Sequence, residues 1–146
     1  MRHPVPKADI WSELSDGFKN WNRLVAQTLS VAGLTLSELR ALRVLSELGP
    51  CSMAVLAKEQ DMTAPGMTIV VDKLEEAGFA RRVRSDADKR TINVAITGRG
   101  GEALRRALKV YNKFIERKMR NVSSQEVSSF FGILNRILGT SEVEHR

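Results

Sequence analysis

Residues 63–97 read TAPGMTIVVDKLEEAGFARRVRSDADKRTINVAIT, and the order of patterns in this stretch decides the fold. Thr63 is a natural helix cap with Pro65 in the first turn, where a missing N–H costs nothing. Met67, Val71 and Leu74 then step by four and three, which puts them on one inward helical face. Gly78 stops the helix by permitting positive φ. Residues 79–84 read as an apolar and basic strand. Residues 91–97 alternate as its partner, with Ile92, Val94 and Ile96 on one face. The connection, residues 85–90, is all small or charged. Residues 81–90 hold five basic and two acidic side chains, a local net of +3. The whole stretch is a helix followed by a β-hairpin with a basic tip.

Upstream, Ser52 caps a short helix over 53–60, with Leu56 and Ala57 inward. Asp61-Met62-Thr63 connects it tightly to the helix that Thr63 opens. Two short helices joined in this way, the second exposing its N-terminal half, have helix-turn-helix geometry. A basic hairpin beside such a pair is a wing. Before it, Thr35 and Glu38 have capping-box spacing. Leu39, Leu42, Leu45 and Leu48 form the expected buried stripe, and Gly49-Pro50 ends that helix. Over 8–31, Trp11, Leu14, Phe18, Trp21, Val25 and Leu29 define one face, with both tryptophans read as core anchors.

Downstream, Thr97 caps a long helix reaching about residue 121, with Leu104, Leu108, Tyr111, Ile115 and Met119 as its apolar stripe and a basic remainder from Arg99 to Arg120. Gly98, Gly100 and Gly101 at its start cost helix stability and mark an expected hinge. Ser123 and Glu126 form a second capping box. The last helix presents Val127, Phe130, Phe131, Leu134, Ile137 and Leu138, and Gly139 ends it. The fold class is therefore mainly α with a small β-hairpin wing (α+β): a winged helix-turn-helix over 33–97 within a single domain 1–146, flanked by long N- and C-terminal dimerisation helices at 8–32 and 98–139. Those end helices carry more apolar surface than the winged lobe can cover, which predicts a two-fold partner copy.

Composition narrows the function. A net charge of +6 and a pI of about 9.9 favour a polyanionic partner. The single cysteine, Cys51, excludes an intramolecular disulfide and fits a reducing compartment. No apolar run reaches the length of a membrane span, and the first residues are too polar for a secretory signal, so a cytoplasmic location and no membrane partner are expected. His3 and His145 are the only histidines. No metal cluster, no cofactor, no phosphate loop and no nucleophile–base set is expected, and so no enzyme.

The chain resembles the MarR family of winged-helix transcriptional regulators over nearly its whole length. The resemblance rests on Asp72-Lys73-Leu74-Glu75 with Gly78, on Asp88-Lys89-Arg90 in the wing, and on Thr97 followed by Gly100, in this order and spacing. It implies a homodimer whose first and last two helices interlock, acting as a ligand-responsive repressor on a pseudo-palindromic operator in double-stranded DNA. The helix over 63–77 would enter the major groove, offering Thr63, Ala64, Pro65, Gly66, Thr68, Ile69 and Lys73. The wing would reach the minor groove with Arg90 as the inserted cation and Asp88 orienting it, while the clustering of Arg82, Arg84, Lys89 and Arg90 beside the helix-turn-helix points to phosphate contacts. An effector, small and aromatic or anionic, is implied near Trp21, Arg23 and Arg43.

The reading helix departs from the family in lacking an arginine or asparagine for bidentate base contacts. Readout then leans on Thr63, Thr68 and apolar contacts to thymine methyls, or on DNA shape. Two rival readings follow: a low-specificity architectural DNA binder, and a winged helix that binds protein. Cys51 is read as a packed structural thiol, against the oxidation switch that some members of the family use.

Overall fold

A computed structural model describes residues 6–85 and 90–139. They form two compact units that divide between Tyr111 and Asn112. The described elements are α1 (Lys7–Ser30), α2 (Leu36–Leu48), β1 (Cys51–Ser52), α3 (Met53–Glu59), α4 (Ala64–Glu76), β2 (Ala80–Arg84), β3 (Ile92–Ile96), α5 (Gly98–Met119) and α6 (Ser124–Leu138).

In the first unit α1 opens at Pro6 without a side-chain cap, and each later helix starts where a side-chain oxygen replaces the missing turn. Thr35 Oγ1 accepts the Glu38 amide while Glu38 returns its carboxylate to the Thr35 amide at 2.8 Å, a complete capping box. Ser52 caps α3 and Thr63 caps α4. Stops are equally local: Gly49 and Gly78 take φ of 76° and 74°, which a Cβ would disfavour. Leu39, Leu42 and Leu45 of α2, Leu56 of α3, and Met67, Val71 and Leu74 of α4 are fully or almost fully buried and form the core with Val94 of β3. Val25 and Leu29 from the end of α1 are buried as well.

The structure corrects several expectations. Leu48 is 58% exposed, because the chain leaves α2 at Gly49 and turns away into β1 before the apolar stripe completes another turn. Trp11 is 47% exposed and Trp21 only half-buried, so neither is a core anchor within one chain. Ile92 is exposed, standing opposite Arg84 at the turn end of the hairpin. The sheet also has a third strand. Cys51 pairs with Val94 and Ser52 with Asn93, giving the order β1-β3-β2, antiparallel throughout. Two residues after Pro50, the second already the cap of α3, are too few to show an alternating pattern, so only tertiary pairing reveals them as a strand.

Of the glycines at the start of α5, Gly100 has a packing reason. A Cβ on Gly100 would lie 2.0 Å from the Phe79 carbonyl oxygen. Thr97 fixes this approach from both sides. Its hydroxyl donates to the Gly78 carbonyl at 2.7 Å and accepts the Gly100 amide at 3.0 Å, while its own amide donates to the Phe79 carbonyl at 3.0 Å. The start of α5 is thereby stitched to the turn between α4 and β2. The expected hinge at Gly100 is instead a close contact.

In the second unit Ser123 and Glu126 complete another capping box, and Gly139 closes α6 at φ 67°. Phe130 and Phe131 pack edge to face with ring centres 6.2 Å apart. Phe130, Phe131, Ile133, Ile137 and Leu138 are all exposed. Among the described residues, no helix is long and apolar enough to cross a membrane.

Candidate nucleic-acid interface

α3 and α4 meet at a tight turn. The Met62 amide donates to the Ala57 carbonyl at 2.9 Å, and Asp61 takes a positive φ of 51°, which aspartate tolerates better than most residues. The turn sets α4 with Met67, Val70, Val71 and Leu74 inward. Ala64, Pro65, Thr68, Ile69 and Lys73 face solvent, and Thr63 is exposed at the cap. Gly66 is half-buried, and a Cβ there would press on the Thr63 hydroxyl and the Met62 side chain at 3.1 and 3.3 Å. The proposed reading surface is thus one contiguous face of a helix held firmly from behind.

The wing is built from β2 and β3 in the register Ala80–Ile96, Arg82–Val94 and Arg84–Ile92. The Ser85 amide closes it on the Thr91 carbonyl at 2.9 Å. Arg84 and Arg90 are exposed near the tip. Asp88 and Lys89 lie outside the described residues.

Arg82 behaves differently from its neighbours. Its Nη2 donates to Asp72 Oδ1 at 2.7 Å, its Nη1 donates to Glu75 Oε2, and its backbone amide donates to Glu75 Oε1 at 2.7 Å. Both carboxylates stand on α4. The hydrogen bond to Asp72, ahead of the attraction of the two acids, raises the arginine above its ordinary pKa, so it stays charged at every relevant pH. A guanidinium held by two carboxylates has little charge left for phosphate. It ties β2 of the wing to α4 through Asp72 and Glu75. Their signal in the sequence was the Asp-Lys-Leu-Glu motif, which identified them without saying what they hold.

Of the candidate effector residues, Arg23 and Arg43 each bond within their own helix. Arg23 donates to Asn20 at 2.7 Å on its own helix. Arg43 pairs with Glu47 at 2.8 Å in the open. None of Trp21, Arg23 and Arg43 lines the groove of about 300 Å³ between α1 and α2, whose walls are Ala26, Ser30, Gly33, Leu34, Thr35 and Glu38. The polar groups there are occupied by the α2 capping box, and no cation lines it. Cys51 is half-buried in β1, and burial, followed by the nearby charge of Glu59, pushes its thiol up from the ordinary value of 9.0.

Known proteins share this arrangement. A profile described as the MarR family matches residues 32–91, the segment from the start of α2 to the wing. The HTH-type transcriptional repressor Rv2887 of Mycobacterium tuberculosis is 32% identical over 113 residues, covering 77% of this chain and 81% of that protein. The HTH-type transcriptional regulator YpoP of Bacillus subtilis is 26% identical over 104 residues, 71% of this chain and 74% of that one. The crystal structure of the transcriptional regulator BldR from Sulfolobus solfataricus superposes with a TM-score of 0.76 at 27% identity, covering 97% of this chain and all of that one. A mutant MarR from E. coli complexed with operator DNA has the same fold, with a TM-score of 0.76 at 18% identity, over 92% of this chain and 94% of that one. With a helix-turn-helix, a wing braced on its second helix and a relative this similar over most of both chains, this chain belongs to the MarR family.

Proposed function

We propose that this protein is a cytoplasmic, non-enzymatic DNA-binding transcriptional repressor that acts as a homodimer on a pseudo-palindromic operator. The observation that carries this is the Arg82 clamp, which fixes a cationic wing rigidly against an exposed helix face. α4 enters the major groove with Thr63, Ala64, Pro65, Gly66, Thr68 and Ile69, and Lys73 approaches the backbone. Arg84, Lys89 and Arg90 bind phosphate or the minor groove, and Asp88 orients Arg90. The exposed Trp11 and Phe18 of α1, and the exposed apolar face of α6, are dimer surfaces. Relatives named as transcriptional repressors support the regulatory output.

The test is a footprint on the DNA immediately upstream of the protein's own gene. A protected palindrome with half-sites about one helical turn apart is the expected result. Absence of any binding at low salt overturns the reading. A second reading, a low-specificity architectural DNA binder, is favoured by the scarcity of long polar side chains on the first turns of α4. Competition against unrelated DNA separates them, since a regulator discriminates by about 10³ or more and an architectural protein barely at all.

A further inference from the structure

The first two turns of α4 carry no long polar side chain, and the polar groups they do have are largely committed. The Thr68 hydroxyl donates to the Ala64 carbonyl at 3.0 Å. Thr63 Oγ1 accepts the Gly66 amide at 3.3 Å, which leaves it one proton to donate and one lone pair. The rest of the exposed surface is apolar. Ile69 is 59% exposed, beside exposed Ala64 and Pro65. Further along the exposed side of the helix Asp72 is taken up by Arg82, Lys73 faces the DNA backbone, and the charge of Glu76 opposes the approach of phosphate. The apolar half of α4 is therefore the half that can enter a groove, and Arg84 and Arg90 on the wing supply attraction to the DNA backbone without selecting a base.

We infer that α4 selects its site by contact with thymine C5-methyl groups, with Ile69 as the specificity-determining side chain. This rests on the DNA reading proposed above. In the major groove each base pair shows a distinct pattern, and the methyl group distinguishes thymine. An isoleucine pressed on that methyl removes both from water. The contact needs no hydrogen-bond donor, which matches what this face offers. One methyl taken fully out of water contributes roughly fourfold in affinity. A two-fold symmetric site doubles the number of such contacts, so the discrimination reaches on the order of tenfold or more.

The experiment starts with full-length protein selecting from a random duplex pool of about 30 base pairs, long enough for two half-sites one turn apart. The best duplex is then resynthesised with deoxyuridine in place of each thymidine in turn, which deletes only the methyl. Wild-type protein should lose roughly fourfold in affinity at each contacted thymine. Ile69→Ala should bind the thymine and uracil duplexes alike at those positions, while Ile69→Val keeps most of the difference. Equal binding of thymine and uracil duplexes by the wild type overturns the inference and leaves DNA binding standing. A pool that is bound in a salt-dependent way but yields no enriched sequence also overturns it. A pool that is not bound at all, even at low salt, overturns the DNA-binding reading beneath it.

Discussion

Gly100 lies so close to Phe79 that a Cβ on the glycine would stand 2.0 Å from the phenylalanine carbonyl oxygen. The obstacle is backbone, already held by the Thr97 amide, so it cannot rotate away as a side chain would. Gly100→Ala should destabilise the protein by about 1–3 kcal/mol, as overpacking does. Gly101, one residue on, meets nothing nearer than Arg105 at 3.9 Å. Gly101→Ala should therefore stabilise by about 0.5–1 kcal/mol through helix propensity. Urea unfolding of both variants at one protein concentration is the check, and two shifts of the same sign would refute the packing account.

Arg82 and Arg90 should fail differently. If Arg82 braces the wing through Asp72 and Glu75, then Arg82→Ala weakens DNA binding roughly fivefold for each half-site, the equivalent of about 1 kcal/mol of lost bracing per wing, without altering its salt dependence. Arg90→Ala and Arg84→Ala remove cations from the backbone contact, so each should reduce the slope of log affinity against log salt by about 0.9 per protomer, about 1.8 for the dimer. A slope that falls for Arg82→Ala would place that guanidinium on phosphate instead. Asp72→Asn should resemble Arg82→Ala, and the double variant should cost less than the sum.

Cys51 should be chemically quiet. Burial and the charge of Glu59 raise its pKa above 9.0, so the thiolate is scarcer at neutral pH than in a free peptide. Alkylation by iodoacetamide should be slow there, increase with pH and level off only above pH 9.0. Oxidant should leave DNA binding unchanged, and Cys51→Ser should bind as the wild type does. Release of DNA by peroxide that is lost in Cys51→Ser would restore the switch reading.

Glu126 gives the pH prediction. The Ser123 amide and then the Ser123 hydroxyl hold its carboxylate below the ordinary value of 4.5. A carboxylate lowered in the folded state adds stability that is fully present above 4.5 and is lost as pH falls through the lowered value. A carboxyl titration followed by NMR should show a midpoint under 4.5 for the wild type. Ser123→Ala should move it part of the way back, since the backbone donor remains. An unchanged midpoint would remove the hydroxyl from the cap.

The amino-acid sequence by itself determined the elements and their ends, because caps, glycine stops and apolar periodicity act within a turn or two of chain. Thr35, Ser52, Thr63 and Ser123 each open the helix that their spacing predicts. It also determined the wing, through its run of basic residues and its alternating strand. What it left open depends on residues brought together from separate parts of the chain. Cys51 became a strand only by pairing with Val94, more than forty positions away. Gly100 needed a backbone that no local pattern reveals, and Trp11 was left outside the core of its own chain. Among five basic residues in one hairpin, only the tertiary fold decided that Arg82 turns back to Asp72 and Glu75, because a charge pattern counts cations and cannot say which of them has met a carboxylate.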